Sequence, residues 1–222
     1  MQIHIITIFP EMFTSPFAES IVARAVKQEK LRISVHNLRD WTDDNYQSVD
    51  DHPYGGGAGM VMKIEPIVKA LEEIRAGLSG VTKMAVTSAK GRPYTEQTAQ
   101  EFSKLDNLSI LCGHYEGIDE RVIENYCDYE ISIGNYVLSG GEIPAMAIVD
   151  SIARLLPGVL GNEDSLASES HNDPGVLEYP HYTKPAVFTT KEGKELTVPG
   201  ILLSGDHKKI AAWQVEHKKT LN

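Results

Sequence analysis

The chain is short of cysteine and of positive charge, and each shortage narrows what it does. Two cysteines, Cys112 and Cys127, in 222 residues exclude a disulfide framework, and no Cys/His pair has the spacing of a zinc site, so no metal centre is expected. Cys112 closes the apolar run Leu108-Ser-Ile-Leu and reads as a small buried hydrophobe. No window approaches about 18 uninterrupted apolar residues. The start MQIHIITIFPEMF has no basic region ahead of an apolar block, so neither a membrane span nor a secretory signal is expected and the chain is placed in the cytoplasm. G-x-G-x-x-G and G-x-x-x-x-G-K-[ST] are both missing, which removes the usual dinucleotide and phosphate loops. There is no internal repeat and no low-complexity run. A net charge of −10 argues against broad attraction to nucleic acid, whose phosphates favour basic surfaces. That charge is unevenly spread, however. From His181 to Asn222 seven lysines face four acidic residues, so residues 1–180 carry −13, and any nucleic-acid contact has to use local basic patches, the C-terminal segment first.

What is present is an ordinary globule, 41% apolar and 23% charged, long enough for one domain or two. Ile3 to Phe9 alternates and is β-rich, Ile21, Val22, Ala25 and Val26 form a helical stripe, and Leu31, Ile33 and Val35 alternate again. A polar loop from Asp40 to Asp51 leads into YGGGAGM at 54–60. Helical spacing returns over Ile64–Ile74, a short strand is expected over Met84–Val86, and a helix opens at Thr95. A strand over Leu108–Cys112, a helix over Ile118–Tyr126 and a strand over Tyr129–Ile133 follow. This alternation predicts an α/β fold, a parallel sheet flanked by helices, over residues 1–161. Residues 162–178 are polar, with a turn signal at Asn172-Asp-Pro-Gly175, and read as a linker. Residues 179–222 form a small unit expected to be mostly helical, with its helix from His207 to about Lys219.

The chain is organised around Ile131 to Gly161. Ile131, Ile133, Val137 and Leu138 make an apolar run, and Ser139-Gly140-Gly141 leaves almost no side chain between backbone and whatever approaches. From Ala145 the apolar residues fall at 145, 148, 149, 152, 155 and 156, one face of a helix with Pro144 in its first turn. Asp150 and Arg154 are four apart on it, the spacing of an ordinary surface ion pair. Glycines follow three successive expected strands, at 91, at 113 and 117, and at 134, 140 and 141. Ligands of open α/β sheets lie at the carboxyl ends of strands, so three permissive loops at one edge predict one pocket, although tight turns alone also call for glycine.

IGNYVLSGGE followed by PGVLG, together with YGGGAGM at 54–60 and CGHYEGIDERV at 112–122, resembles the bacterial tRNA (guanine-37-N1)-methyltransferases of the knotted SPOUT class. The match runs in order from IFP at 8–10 through LLSGDH at 202–207. The resemblance implies that the end of the α/β domain is threaded as a trefoil knot, against the general rule, and that the last unit binds RNA, in relatives with about one helix more. It implies S-adenosylmethionine in the pocket, on Thr87, Ser88, Gly113, Glu116, Ile133, Gly134, Tyr136, Leu138, Gly140, Gly141 and Pro144. The 87–91 loop reads TSAKG where relatives commonly have a proline and a glutamine.

Methylating guanine at N1 requires a base for the N1 proton and a cation for charge on O6. By resemblance Arg154 is the cation. The family's base is an aspartate in the pattern Ser-x-x-x-Asp-Ser, and Ser165-Leu-Ala-Ser-Glu169-Ser170 places Glu169 there, with Asp164 and Asp173 as fallbacks. Asp50, Tyr54, Gly55, Gly59 and Met60 are implied to hold guanine flipped from its stack. His181 and Lys184, with Lys208-Lys209, are the candidates for phosphate contacts. The implied partners are the tRNA anticodon loop, with guanosine 37 preceded by guanosine 36, and a second copy of the chain. Two other readings exist, ribose 2′-O-methylation on the same fold and an RNA-binding module without catalysis. The linker carboxylate argues against the first, and its being glutamate rather than aspartate favours the second.

Overall fold

The computed structural model describes residues 1–161 and 169–220. They divide into two compact units, Met1–Gly161 and Asn162–Asn222.

In the first unit β1 (Gln2–Thr7) pairs in parallel with β2 (Arg32–Asn37) on one side and β6 (Asn107–Cys112) on the other. β5 (Thr82–Pro93) lies between β6 and β7 (Tyr129–Ser132), giving the parallel order β2-β1-β6-β5-β7. Side chains alternate across this sheet, and both faces are buried. Ile3, Ile5, Ala85, Ile110 and Cys112 pack with Val22 and Ala25 of α2 (Ser20–Lys27), Phe102 of α4 (Glu96–Phe102) and Ile148 and Ile152 of α6 (Glu142–Leu155). Ile6, Met84, Val86 and Leu111 pack with Ile67, Ala70 and Leu71 of α3 (Ile64–Ala76) and Val122 of α5 (Glu120–Tyr126). Near-continuous apolar strands are what a doubly covered parallel sheet requires. Cys112 is wholly buried, which together with the charge of Glu142 pushes its thiol far up from the ordinary value.

Three elements differ from the sequence expectation. β5 runs to Pro93 instead of stopping at Val86, because its register shifts: Ile131 is opposite both Thr87 and Arg92, so Ser88–Gly91 bulge out between two paired segments. Gly91 makes this feasible, since a Cβ there would sit 2.6 Å from the backbone of Glu130 and Ile131. The polar 40–51 loop ends in β3 (Asp50–Asp51), antiparallel to β4 (Val61–Met62), so YGGGAGM is the tip of a hairpin. β7 ends at Ser132, and Val137, expected in its apolar run, is exposed.

The second unit is less helical than expected. Its described residues hold one α-helix, α7 (His207–Glu216), and one 3-10 turn of helix, Gly200–Leu203, beside two short ladders. β8 (Val176–Leu177), inside the stretch read as linker, pairs with β11 (Lys219–Thr220), where the helix was expected to end. β9 (Val187–Thr189) pairs with β10 (Glu195–Thr197) as a hairpin. Asp206 caps α7 by accepting from the backbone N–H of Lys209 at 3.2 Å, and Trp213 stacks on His217 with ring centres 4.0 Å apart.

Candidate active site

At the bulge of β5 and the carboxyl ends of β6 and β7 lies a cavity of about 470 Å³, the size of a small-molecule site. Its wall contains Thr87, Ser88, Gly113, Glu116, Ile133, Gly134, Tyr136, Leu138, Gly140, Gly141 and Pro144, every residue expected there, together with His114 and Lys90. The β5 bulge, the loop after β6 and the Gly134–Gly141 segment each supply one side, as the three-loop pattern required.

The wall is held by backbone packing. Gly141 N–H donates to Gly113 O at 2.8 Å, and Thr87 Oγ1 donates to Gly141 O at 3.3 Å. A Cβ on Gly141 would lie 2.7 Å from Gly113 N and 2.8 Å from Cys112 Cα. One on Gly134 would meet Tyr136 Cζ at 2.9 Å, and one on Gly113 would meet Thr87 O at 2.9 Å. Gly113 and Gly141 are therefore fixed by contact with the backbone of a neighbouring segment, and Gly134 by the Tyr136 ring of its own. Lys90, in the loop that departs from the resemblance, pairs with Glu120 at 2.7 Å, and that hydrogen bond holds its ammonium pKa above the ordinary value.

The hairpin tip adjoins this wall. Glu116 N–H donates to Met60 O at 3.0 Å, Met62 N–H donates to Gly117 O at 2.9 Å, and a Cβ on Gly59 would lie 2.8 Å from Glu116 Cδ. Gly55, Gly56, Gly57 and Gly59 all have positive φ, between 77° and 127°, so the tip follows a path that favours glycine. Tyr54 is fully exposed beside it. Asp50 sits at the hairpin base, and the Tyr115 phenol pKa is pushed up first by burial and then by the nearby Asp50 carboxylate.

Arg154 is not at the cavity. It occupies the last turn of α6, whose first turn carries Pro144; ten residues at about 1.5 Å each put roughly 15 Å of helix between them. Glu169, Asp173, His181 and Lys184 belong to the second unit. There His181 Nε2 is 3.5 Å from Glu178 Oε2, and Lys209 pairs with Asp206 at 3.3 Å. The fallback base Asp164, and Ser165 of the linker pattern, lie outside the described residues. Among the described residues no cluster of three or more His, Cys, Asp or Glu is arranged to hold a metal ion, and no helix is long and apolar enough to cross a membrane.

Sequence reasoning missed Thr7, His114 and Glu142. Glu142 is 1% exposed; its Oε1 accepts from Thr7 Oγ1 at 2.7 Å, and its Oε2 is 3.1 Å from His114 Nε2. The available signal was an acidic residue directly after Ser139-Gly-Gly in an otherwise apolar helix start.

Comparison with known proteins identifies the family of the chain. The family model described as tRNA (guanine-1)-methyltransferase TrmD matches residues 1–221. A tRNA (guanine-N(1)-)-methyltransferase of Francisella tularensis subsp. holarctica is 49% identical over 98% of this chain and 84% of its own length. Those of Dehalococcoides mccartyi, 46% identical over 96% of this chain and 84% of its own length, and of Ruminiclostridium cellulolyticum, 45% over 97% and 90%, carry the same name. The chain belongs to the tRNA (guanine-1)-methyltransferase family.

Proposed function

We propose that this chain transfers a methyl group from S-adenosylmethionine to N1 of guanosine 37 in tRNA, that the cavity above β5, β6 and β7 holds the donor, and that Glu169 and Arg154 carry the chemistry. Family membership gives the class of reaction, methylation of guanine N1 in tRNA. The observation that carries the donor site is the convergence of three glycine-bearing loops on one cavity of about 470 Å³, whose lining offers fixed backbone donors and acceptors to an adenine edge. S-adenosylmethionine supplies an activated methyl group there. Glu169 takes the N1 proton while Arg154 meets the charge that develops on O6. Asp50, Tyr54, Gly55, Gly59 and Met60 line the place of the flipped guanine, and His181 and Lys184 contact phosphate.

Two copies of the chain are part of this reading. With roughly 15 Å of helix between Pro144 and Arg154, one copy does not bring its own arginine to its own cavity, whereas the carboxyl end of α6 from a second copy can serve it. The segment bearing Glu169 then closes over the partner's donor site. The trefoil thread belongs to the same proposal.

The test is single-turnover methyl transfer on a transcript with guanosines at 36 and 37. Glu169→Gln keeps shape and hydrogen bonding but takes no proton, and should slow the step by about 10²–10⁴-fold; Glu169→Asp should be far milder. A Glu169→Gln enzyme that works at the wild-type rate, beside an inactive Asp173→Asn, would move the base to Asp173.

A further inference from the structure

Glu142 is a buried carboxylate that the reaction does not use. Neither it nor Thr7 lines the cavity, and both are buried. An ionised carboxylate taken out of water is costly unless its oxygens are met by donors. Here Thr7 Oγ1 donates to one oxygen at 2.7 Å and His114 Nε2 faces the other at 3.1 Å. A carboxylate accepts, so the His114 ring carries its proton on Nε2. Glu142 also lies in the first turn of α6, where the helix dipole favours negative charge.

These bonds fasten three elements at one point. Thr7 ends β1, His114 follows β6, and Glu142 opens α6 directly after the Gly140-Gly141 turn. The Thr7 hydroxyl in turn accepts from Phe9 N–H at 2.9 Å, and the Phe9 ring meets His114 edge-on with centres 5.0 Å apart. A Cβ on Gly140 would lie 2.6 Å from His114 Cδ2, so the turn is seated directly against the imidazole. Gly140, Gly141 and His114 are cavity wall; the strut behind them is not.

We propose that Glu142 is a positioning residue for the donor site, acting with Thr7 through the Gly140-Gly141 turn and the His114 ring. The inference rests on the assignment of the cavity to S-adenosylmethionine. Loosening the strut lets the wall move away from the donor without touching the residues that carry proton and charge.

Thr7 allows a clean test because it does not itself line the cavity. Thr7→Val keeps volume and removes the hydroxyl, leaving one oxygen of Glu142 unmet; Thr7→Ser keeps the hydroxyl. Calorimetry with S-adenosylmethionine, and kcat and KM on a guanosine-37 transcript, are measured on the full chain beside thermal unfolding. Thr7→Val should weaken donor affinity by about tenfold and raise KM for the donor, with kcat at saturating donor close to wild type. Thr7→Ser should restore wild-type affinity. Wild-type affinity in Thr7→Val overturns the proposal, and so does an equal loss in Thr7→Val and Thr7→Ser, because packing and not the hydroxyl would then be responsible. Wild-type protein that binds no S-adenosylmethionine would instead overturn the cavity assignment itself.

Discussion

Replacing Gly141 by alanine tests the claim that the cavity wall is set by backbone contact. The added Cβ would lie 2.7 Å from Gly113 N and 2.8 Å from Cys112 Cα, and within the envelope of Thr87 Oγ1. Carbon atoms settle at about 3.5–4.0 Å, so two backbone points must retreat by about 0.7 Å together, and both flank the carboxyl end of β6. A flexible side chain could swing away cheaply; strand backbone cannot. Overpacking of this kind costs about 1–3 kcal/mol. Parting the two segments also lengthens the 2.8 Å bond from Gly141 N–H to Gly113 O, worth about a further 1 kcal/mol. A total of about 2–4 kcal/mol is a large share of the 5–15 kcal/mol that holds a domain together. Urea unfolding should therefore show a clearly lower midpoint, and calorimetry should show S-adenosylmethionine binding reduced at least tenfold in the fraction that remains folded. Gly161→Ala is the control, since among the described residues a Cβ there meets nothing within 4 Å. A Gly141→Ala protein as stable as this control, with donor affinity intact, would refute the reasoning.

Arg154→Ala should keep donor binding by calorimetry and lose turnover, because the arginine stands at the far end of α6 from the cavity; equal loss of both would make it a structural residue. Activity followed through a dilution series in sedimentation velocity should fall as the sedimenting species becomes monomer, and a fully active monomer would contradict the two-copy site. His4 and His36 stack with ring centres 5.3 Å apart and Nδ1 of one 3.0 Å from Nε2 of the other. Burial lowers both pKa values below 6.5, and for His36 the nearby Asp40 and Glu73 oppose that shift. The unfolded chain therefore takes up protons that the folded one resists as pH falls below about 6.5, and the stability present above that pH is lost on acidification. His4→Phe should shrink the difference in urea midpoint between about pH 7.5 and about pH 5.5; an unchanged difference would rule the pair out as a cause.

The cavity was legible because its signal is local. Each of the three loops follows an apolar run and carries glycine, and a parallel sheet brings such segments to one edge, even where, as at Ser88–Gly91, the loop is a bulge and the strand resumes beyond it. The helix α6 was equally legible from its apolar spacing, and Ala145, Ile148, Val149 and Ile152 are buried as that spacing required. Pairings between distant segments were not legible. Ser88–Gly91 reads as a strand terminator by composition, and only the backbone of Glu130 and Ile131 pressing on Gly91 turns it into a bulge within a longer strand. The Thr7–Glu142 bond spans 135 residues, and nothing in either neighbourhood announces the other. β8 and β11 are two residues each with no alternation to detect, so a polar stretch read as linker supplies one strand and the presumed end of a helix supplies the other.

The placement of α6 connects these levels. Its amino end is fixed by the Gly140-Gly141 turn, by Glu142 between Thr7 and His114, and by Pro144 at the cavity. Its middle is core, packed against β1, β6, α2 and α4. A helix so held at one end and along its buried face behaves as a rigid rod, so the distance from Pro144 to Arg154 is fixed by helical rise and not by any loop. The cavity and Arg154 then cannot approach each other within one copy by local motion. On the reading proposed above, in which Arg154 and the cavity act on one guanine, a second α6 brings its carboxyl end to the first cavity, and the same rigidity that separates the two residues in one chain holds them in register across two.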